Sequence, residues 1–252
     1  MSFCRFQFSS KVLGQHKECC VILPDVGKPP FPTYYLLHGL SDDHTIWHRR
    51  TRIETYVANL PLIVVMPDGG RGFYTNMDAG PRWADHFAQE LPALIERNFP
   101  ARPARAARCV GGLSMGGYGA LRLALGFPEV YCSANSHSGA LAVPARIENH
   151  RSIENAELVR TFGRRPVGSE HDLDELARRA RKSGRLPRIR IDCGTGDFLL
   201  AENRHFHAVL DKLGIPHEYE EFEGGHTWDY WDLHVREALA FHAQSLKIRA
   251  IA

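Results

Sequence analysis

A serine between two glycines is the residue of this sequence best placed to do chemistry. Ser114 lies in residues 112–116, GLSMG, which have the pattern G-x-S-x-G. A short apolar run, residues 107–111, precedes it, and apolar residues at helical spacing follow it. The pattern predicts a nucleophilic serine on a sharp turn between a strand and a helix, with glycines leaving room for neighbouring backbone.

A structural interpretation of Ser114 stays open at this point. Serine is a common N-cap residue, and its hydroxyl would then accept a hydrogen bond from a free N–H group of the following helix. A catalytic serine differs from a cap because it needs two partners. Its proton must pass to a base, and a carboxylate must orient that base.

Two later residues have the positions that these partners require. Asp197 comes four residues after the predicted strand 188–193, and His226 follows the predicted strand 217–222. In a doubly wound sheet the carboxyl ends of the strands meet at one edge, where loops gather. The chain order Ser114, Asp197, His226 is also that of α/β-hydrolases. We therefore predict a triad of these three residues.

Competing residues fit these roles less well. His137 also follows a predicted strand, but it precedes Asp197 in the chain, which is the wrong order for this triad. Asp192 lies within a predicted strand and Asp229 opens a predicted helix, so both are expected to be structural.

The loop after the predicted strand 33–38 supplies a candidate oxyanion hole. Gly39 lets the backbone come close to the serine, and the N–H of Leu40 would act together with the N–H of Met115. Two backbone donors aimed at one point would stabilise the negative charge that develops on a carbonyl oxygen. This pairing is the predicted oxyanion hole.

Aromatic residues near the strand ends are candidate substrate contacts. Tyr74 and Trp228 follow predicted strands, as does the segment 138–140, and together with Gly39 they would line a small pocket. The alternative is that the two rings belong to the core.

Strand and helix patterns alternate along the chain, which favours a parallel α/β sheet. The predicted strands span residues 4–10, 16–23, 33–38, 62–66, 107–111, 131–136, 188–193 and 217–222. The predicted helices span a face within 46–60, then 83–98, the residues after Ser114, 172–183, 201–213 and 229–247. We predict one domain, residues 1–252, with a mostly parallel doubly wound sheet that opens with an antiparallel hairpin.

The strand and helix rhythm is interrupted over residues 141–187, where polar and charged residues dominate. We expect this segment to be a small cap inserted into the domain. Its few apolar residues would form a patch over the strand ends, above Ser114; they are Leu158, Val159, Phe162, Leu173 and Leu176.

Composition narrows the class of protein. The 252 residues are 44% hydrophobic and carry a net charge of +2, so charge offers no reason to expect nucleic acid or a membrane as partner. The six cysteines include no C-x-x-C spacing, and the first residues contain no long apolar stretch. We expect a cytoplasmic enzyme with reduced cysteines, and the sequence leaves homo-oligomerisation open.

Three histidines in and after the loop that follows the predicted strand 33–38 could instead bind a metal ion. His38, His44 and His48 lie close together in the sequence, but no carboxylate or cysteine at ligand spacing completes a site. We therefore predict no metal ion.

With these residues assembled, the chain resembles the esterase D-like branch of the α/β-hydrolases, and within it the tributyrin-esterase type. The resemblance covers nearly the whole chain. The matching segments are residues 37–47, 66–76, 112–121, 193–197 and 225–228.

The resemblance implies hydrolysis of short-chain carboxylic esters without a cofactor. It also implies a runner-up substrate, because the related S-formylglutathione hydrolases share the fold and the triad. Their loop after the equivalent of Leu40 typically reads Thr-Cys-Thr, whereas this chain has Ser41, Asp42 and Asp43. Mycolyltransferase-like relatives are secreted and fit less well. An alternative from another class is a catalytically silent hydrolase fold used for binding.

Overall fold

One eight-stranded sheet runs through the part of the chain that the computed structural model describes, residues 1–149 and 156–251. Across the sheet the strand order is β1-β2-β4-β3-β5-β6-β7-β8. β1 and β2 form an antiparallel hairpin, β2 pairs antiparallel with β4, and the pairs from β4 onward are parallel. The strands are β1 Ser2–Ser10, β2 Gln15–Leu23, β3 Thr33–Leu37, β4 Ile63–Pro67, β5 Arg108–Leu113, β6 Ser133–His137, β7 Arg188–Gly194 and β8 His217–Phe222.

Helices connect the parallel strands and cover both faces of the sheet. None of those in the described ranges combines the length and apolar character needed to cross a lipid bilayer. The helices are α1 Ile46–Arg50, α2 Ile53–Val57, α3 Trp83–Asp85, α4 Leu91–Asn98, α5 Met115–Gly126, α6 Val143–Asn149, α7 Ala156–Phe162, α8 Leu173–Ser183, α9 Leu200–Lys212 and α10 Trp228–Leu246.

The core lies in two layers, one on each side of the sheet. On one side β-strand side chains pack against α4, α5, α8 and α9. On the other side they pack against α1, α2 and α10. Because both faces are covered, the central strands β3, β4, β5 and β6 are almost entirely buried, which explains the apolar runs of β3 and β4. The predicted mostly parallel, doubly wound sheet with an N-terminal hairpin is confirmed.

The helix predicted over residues 83–98 is divided by a π-helical turn, His86–Glu90. The N–H of Leu91 donates to the carbonyl of His86, five residues earlier. Pro92, the second residue of α4, has no N–H to give to the carbonyl four residues before it. The proline therefore accounts for the local change of hydrogen-bond spacing.

The helical face predicted within residues 46–60 is carried by two short helices, α1 and α2. The chain is extended at Thr51, and the N–H of Arg52 donates to Asp232 Oδ1 at 2.7 Å. The Arg52 guanidinium also binds Asp232, at 2.8 Å. This contact with α10 takes the Arg52 amide out of the helix, while the apolar residues on either side still face the same core.

The predicted cap, residues 141–187, includes residues 150–155, which lie outside the described part. In the remainder, the predicted apolar patch is continuous with the main core. Phe162, Leu173 and Leu176 are buried in the main core. The ring of Phe162 packs edge-on against Phe73 at 5.1 Å, and α8 packs along α5. The apolar stripe of α8 is sparse, yet it is sufficient for a crossover helix between β6 and β7.

Candidate active site

The turn at Ser114 has the geometry that its glycines predict. β5 ends at Leu113 and α5 begins at Met115, so one residue joins strand to helix. Ser114 has φ 53° and ψ −115°, a conformation that residues with a Cβ rarely adopt and that costs on the order of 1–3 kcal/mol. Its N–H donates to the carbonyl of His137 at 2.9 Å, and its carbonyl accepts the N–H of Ala140 at 3.1 Å. Contacts with the loop after β6 thus hold the strained turn.

The flanking glycines are needed because backbone passes against them. A Cβ atom at Gly112 would lie 2.6 Å from the carbonyl oxygen of Leu37, and one at Gly116 would lie 2.7 Å from that of His38. Both distances are too short for real contacts. Any side chain at either position would push the loop after β3 away from Ser114.

His226 and Asp197 form the pair that the strand order predicts. His226 Nδ1 lies 2.8 Å from Asp197 Oδ2, and the carboxylate side chain is fully buried while that of His226 is 18% exposed. A carboxylate oxygen can only accept, so Nδ1 donates and Nε2 keeps its lone pair for a proton. The N–H of Leu199 donates to the other carboxylate oxygen at 2.8 Å. The imidazole is therefore held in the tautomer that a base requires.

The Asp197 carboxyl is kept ionised by its partners. Burial raises its pKa, but the hydrogen bonds from His226 and the Leu199 amide outweigh burial and leave the pKa below the ordinary value. A depressed folded-state pKa means that this carboxylate contributes stability above the pKa of the unfolded chain. That contribution is lost as the pH falls through the folded-state pKa.

Sheet topology places Ser114, Asp197 and His226 at the same edge. They follow the carboxyl ends of β5, β7 and β8, and these strands run parallel with β6 between the first two. Within the described residues neither Ser114 Oγ nor His226 Nε2 has a hydrogen-bond partner. Catalytic hydrogen bonds are often long until substrate binds, and both groups are available for one.

The loop after β3 comes directly against the serine. A Cβ atom at Gly39 would lie 2.6 Å from a methyl carbon of Leu113 and 3.7 Å from Ser114 Cβ, so this position admits only glycine at this distance. In the described part of the chain, the backbone N–H groups of Leu40 and Met115 donate to no protein acceptor. An oxyanion hole needs two such unpaired donors close to the nucleophile.

Three consecutive carbonyls before Leu40 are held by side-chain donors. Trp47 Nε1 donates to the carbonyl of Leu37 at 2.9 Å, and the Tyr74 hydroxyl donates to that of His38 at 2.9 Å. His38 Nδ1 lies 2.7 Å from the carbonyl of Gly39 and donates to it. Each peptide plane leading to the Leu40 amide is therefore fixed in direction.

The tautomer of His38 follows from its second hydrogen bond. The backbone N–H of Gly69 lies 2.9 Å from His38 Nε2 and can only donate, so Nε2 accepts and Nδ1 carries the proton. His38 is thus a neutral bridge between the loops after β3 and β4. Sequence reasoning missed the positioning role of His38 and Trp47, although both lie in the segment 37–47 that carried the family resemblance.

Tyr74 has a different place from the one predicted. Its side chain has no exposed surface, and its ring packs edge-on against Phe87 at 4.9 Å. Its hydroxyl is occupied by the carbonyl of His38. The prediction that Tyr74 contacts substrate is therefore wrong, and we assign it to positioning the loop before Leu40.

Replacing Tyr74 by phenylalanine is expected to lower kcat for p-nitrophenyl acetate by roughly tenfold while KM changes little. Loss of the hydroxyl leaves the His38 carbonyl without its donor, which costs about 1–3 kcal/mol for a buried group and loosens the Leu40 amide. Steady-state kinetics measure the effect.

Tyr131→Phe is the matched control for this variant. The Tyr131 hydroxyl donates to the carbonyl of Phe87 at 2.6 Å and is equally buried, but it does not contact the loop before Leu40. Both variants should lose similar stability in thermal unfolding, and only Tyr74→Phe should lose kcat. Equal kcat in the two variants would show that Tyr74 is merely a core residue.

Apolar side chains on the loops at the carboxyl ends of the strands are partly or largely exposed. Trp228 is partly exposed and packs edge-on against Trp47 at 5.4 Å. The ring of Phe198 is 74% exposed and lies 4.6 Å from the His226 ring, and Leu40 is 38% exposed. Sequence reasoning identified Trp228 but missed Phe198, which follows Asp197 directly.

His137, the competitor for the base, lies in the core. Both His137 and Asp192 are fully buried, with His137 Nδ1 2.7 Å from Asp192 Oδ2. The hydroxyl of Tyr230 donates to the other oxygen of Asp192 at 3.0 Å. The pair supports the loop behind Ser114, since the His137 carbonyl accepts the Ser114 N–H. Among the described residues, His38, His44 and His48 do not converge as a group of metal ligands.

The chain is similar to known esterases in sequence. Residues 10–242 match the family model described as putative esterase. The chain is 30% identical to an acetyl esterase of Caldicellulosiruptor saccharolyticus, over 94% of this chain and 97% of that protein.

Two solved structures from Staphylococcus aureus are similar over nearly their whole length. A fluorophosphonate-binding serine hydrolase, FphF, has a TM-score of 0.87 and 30% identity, covering 96% of this chain and 98% of that one. An S-formylglutathione hydrolase has a TM-score of 0.83, 28% identity and the same coverage. With its sheet order, its turn at Ser114 and these relatives, the chain belongs to the putative esterase family and is a carboxylic ester hydrolase with the α/β-hydrolase fold.

Proposed function

We propose that the protein hydrolyses short-chain carboxylic esters through an acyl-enzyme on Ser114. The observation that carries this proposal is the strained turn at Ser114, at the same sheet edge as the His226–Asp197 pair and beside the loop of Leu40. The N–H groups of Leu40 and Met115 have no acceptor among the described residues. A serine held only for structure would not require this conformation, because an ordinary N-cap has extended backbone. The Ser114 side chain also makes no cap hydrogen bond.

In the first half of the reaction, His226 Nε2 takes the proton from Ser114 Oγ as the oxygen attacks the ester carbonyl. The carbonyl oxygen becomes an oxyanion and accepts hydrogen bonds from the N–H groups of Leu40 and Met115. The C–O bond to the alcohol then breaks, and His226 gives its proton to the leaving alkoxide. Asp197 stabilises the imidazolium that forms between these two transfers.

In the second half, water replaces the alcohol. His226 takes a proton from water, the hydroxide attacks the acyl carbon, and the same two amides hold the second oxyanion. Collapse of this intermediate breaks the bond to Ser114 Oγ, which recovers its proton from His226. Overall, one ester and one water are consumed, one carboxylic acid and one alcohol are released, and the protein returns to its starting state.

Short acyl chains are proposed because partly exposed apolar side chains lie on the loops that carry Gly39, Asp197 and His226. Leu40, Phe198 and Trp228 provide surface for a small acyl or alcohol group. The similar acetyl esterase acts, by its name, on acetyl esters.

With p-nitrophenyl esters of acetate, butyrate and octanoate, we expect kcat/KM for acetate and butyrate to exceed that for octanoate by about tenfold or more. The reason is that the terminal methylenes of octanoate stay in water and add no binding energy, while they must be accommodated beside these apolar side chains. Keeping the alcohol constant isolates the acyl group. A higher kcat/KM for octanoate would refute the proposed acyl size, though not the proposed reaction.

Thioester hydrolysis is the second candidate, favoured by the similarity to an S-formylglutathione hydrolase. The loop beside the site carries Asp42 and Asp43, and Asp42 Oδ2 would lie 3.2 Å from a Cβ at Gly39. Carboxylates in this position disfavour the anionic glutathione moiety. We expect S-formylglutathione to have a lower kcat/KM than p-nitrophenyl acetate, and the reverse ranking would favour the thioesterase.

A further inference from the structure

Three metal-ligating side chains meet at the end of the sheet opposite to Ser114. His207 and Asp211 are one helical turn apart on α9, and His217 is the first residue of β8. His207 Nε2 lies 3.5 Å from Asp211 Oδ2, and His217 Nε2 lies 4.0 Å from Asp211 Oδ1. One ligand atom from each residue lies within 4.8 Å of the others. The catalytic edge is at the carboxyl end of β8, so this cluster is separate from it.

Both imidazole rings are fixed by contacts outside the cluster. His217 is 3% exposed, and its Nδ1 donates to the carbonyl of Ile215 at 2.8 Å. The ring of His207 stacks on Tyr219, with 4.2 Å between centroids and 5° between planes. A backbone carbonyl that accepts from the second nitrogen of a histidine is the usual support for a metal ligand, because it directs the other nitrogen towards the ion.

Without an ion, the two histidines contact each other through ring nitrogens. Because His217 Nδ1 donates to Ile215, a neutral His217 has a lone pair on Nε2, which lies 2.7 Å from His207 Nδ1. His207 Nδ1 must then donate to it, and a neutral His207 would direct its Nε2 lone pair at the Asp211 carboxylate. A cation bound by both His207 Nδ1 and His217 Nε2 would replace this hydrogen bond, and His207 Nε2 would then carry the ring proton 3.5 Å from Asp211 Oδ2.

We propose that His207, Asp211 and His217 bind a divalent cation of the zinc class. Two nitrogen ligands and one carboxylate oxygen suit Zn²⁺ and its neighbours among the transition metals better than Ca²⁺ or Mg²⁺. Tetrahedral ligands at zinc bond lengths lie about 3.3 Å apart. With His207 Nδ1, His217 Nε2 and Asp211 Oδ1 as the ligand atoms, the 2.7 Å distance between the two nitrogens must open and the 4.0 Å distance from His217 Nε2 to Asp211 must close, each by less than the width of an atom.

Water would complete the coordination from the solvent side. The Asp211 side chain is 63% exposed, which gives the ion a path of entry. The nearby carboxylate of Glu221 is held by Arg204 at 2.7 Å and by the Tyr219 hydroxyl at 2.8 Å, so it does not serve as a fourth ligand. The bound ion would join the last turn of α9 to β8, the edge strand of the sheet, and would stabilise the folded chain.

The test is zinc binding to the full chain after removal of metal by a chelator. We expect calorimetry with ZnCl₂ to show one site, a rise in Tm with zinc, and reversal of that rise by EDTA. His207→Ala and Asp211→Asn should weaken this site by roughly tenfold or more, since each removes a ligand. Asp211→Asn changes an exposed side chain, so it keeps the test valid if the histidine variant folds poorly.

His205→Ala is the matched control. His205 lies on the same helix, is 58% exposed and bonds Asp174 at 2.9 Å, outside the cluster. Its loss should leave the zinc affinity and the Tm shift unchanged. Absence of a one-to-one site in the wild type, or binding that persists undiminished in both ligand variants, would overturn the proposal. Neither result depends on esterase activity.

Discussion

Replacing Ser114 by alanine is expected to lower kcat for p-nitrophenyl acetate by about 10⁶-fold, and His226→Ala should cause a loss of the same order. Without the hydroxyl no acyl-enzyme forms, and without the imidazole the hydroxyl keeps its proton. Combining the two changes should cost little more than either alone, because the residues act as a unit. The measurement is kcat with purified protein, with circular dichroism to verify the fold.

Ser183→Ala controls for loss of a serine elsewhere. Ser183 ends α8, where its hydroxyl donates to the carbonyl of Ala180 at 2.9 Å, and it takes no part in the proposed reaction. Its kcat should equal that of the wild type. Ser114→Ala protein that hydrolyses the ester at the wild-type rate would refute the proposed nucleophile.

Asp197→Asn is expected to lower kcat by about 10⁴-fold while the fold is retained. A neutral amide cannot stabilise the imidazolium. Its NH₂ group can also donate to His226 Nδ1, which moves the imidazole proton to Nε2, where the base must be free. The defect should appear mainly in kcat, since Asp197 is buried and does not face the substrate.

Asp229→Asn is the control for this change. Asp229 is an exposed carboxylate in the first turn of α10, close to His226 in sequence. Its kcat should be unchanged. If Asp197→Asn stayed active and Asp229→Asn lost activity, the carboxylate that orients His226 would be Asp229 and not Asp197.

The arrangement along the chain was predictable because each functional residue follows a strand. Parallel strands place their carboxyl ends at one edge, so Ser114, Asp197 and His226 could be brought together from order alone. The need for Gly112 and Gly116 was likewise predictable, because backbone packs closely against a turn of this kind and leaves no room for a Cβ atom. These inferences rest on backbone geometry, which sequence patterns report directly.

Side-chain direction could not be predicted in the same way. Tyr74 follows a strand end, as a pocket residue would, but its ring points into the core and its hydroxyl bonds the carbonyl of His38. Phe162 and Leu173 lie in a segment with few apolar residues, yet both reach the main core. Which cavity a ring fills depends on tertiary packing, and spacing along one segment does not contain that information.

Labelling with a fluorophosphonate probe tests the central claim most directly, because the probe reacts with a serine only when its hydroxyl is activated. We expect one probe per folded wild-type chain, attached to Ser114 in the peptide that spans residues 112–116. The His226→Ala variant should be labelled far more slowly, and Ser114→Ala should not be labelled. Attachment to a different residue, or no labelling of folded protein that hydrolyses p-nitrophenyl acetate, would contradict the assignment of Ser114 as the nucleophile.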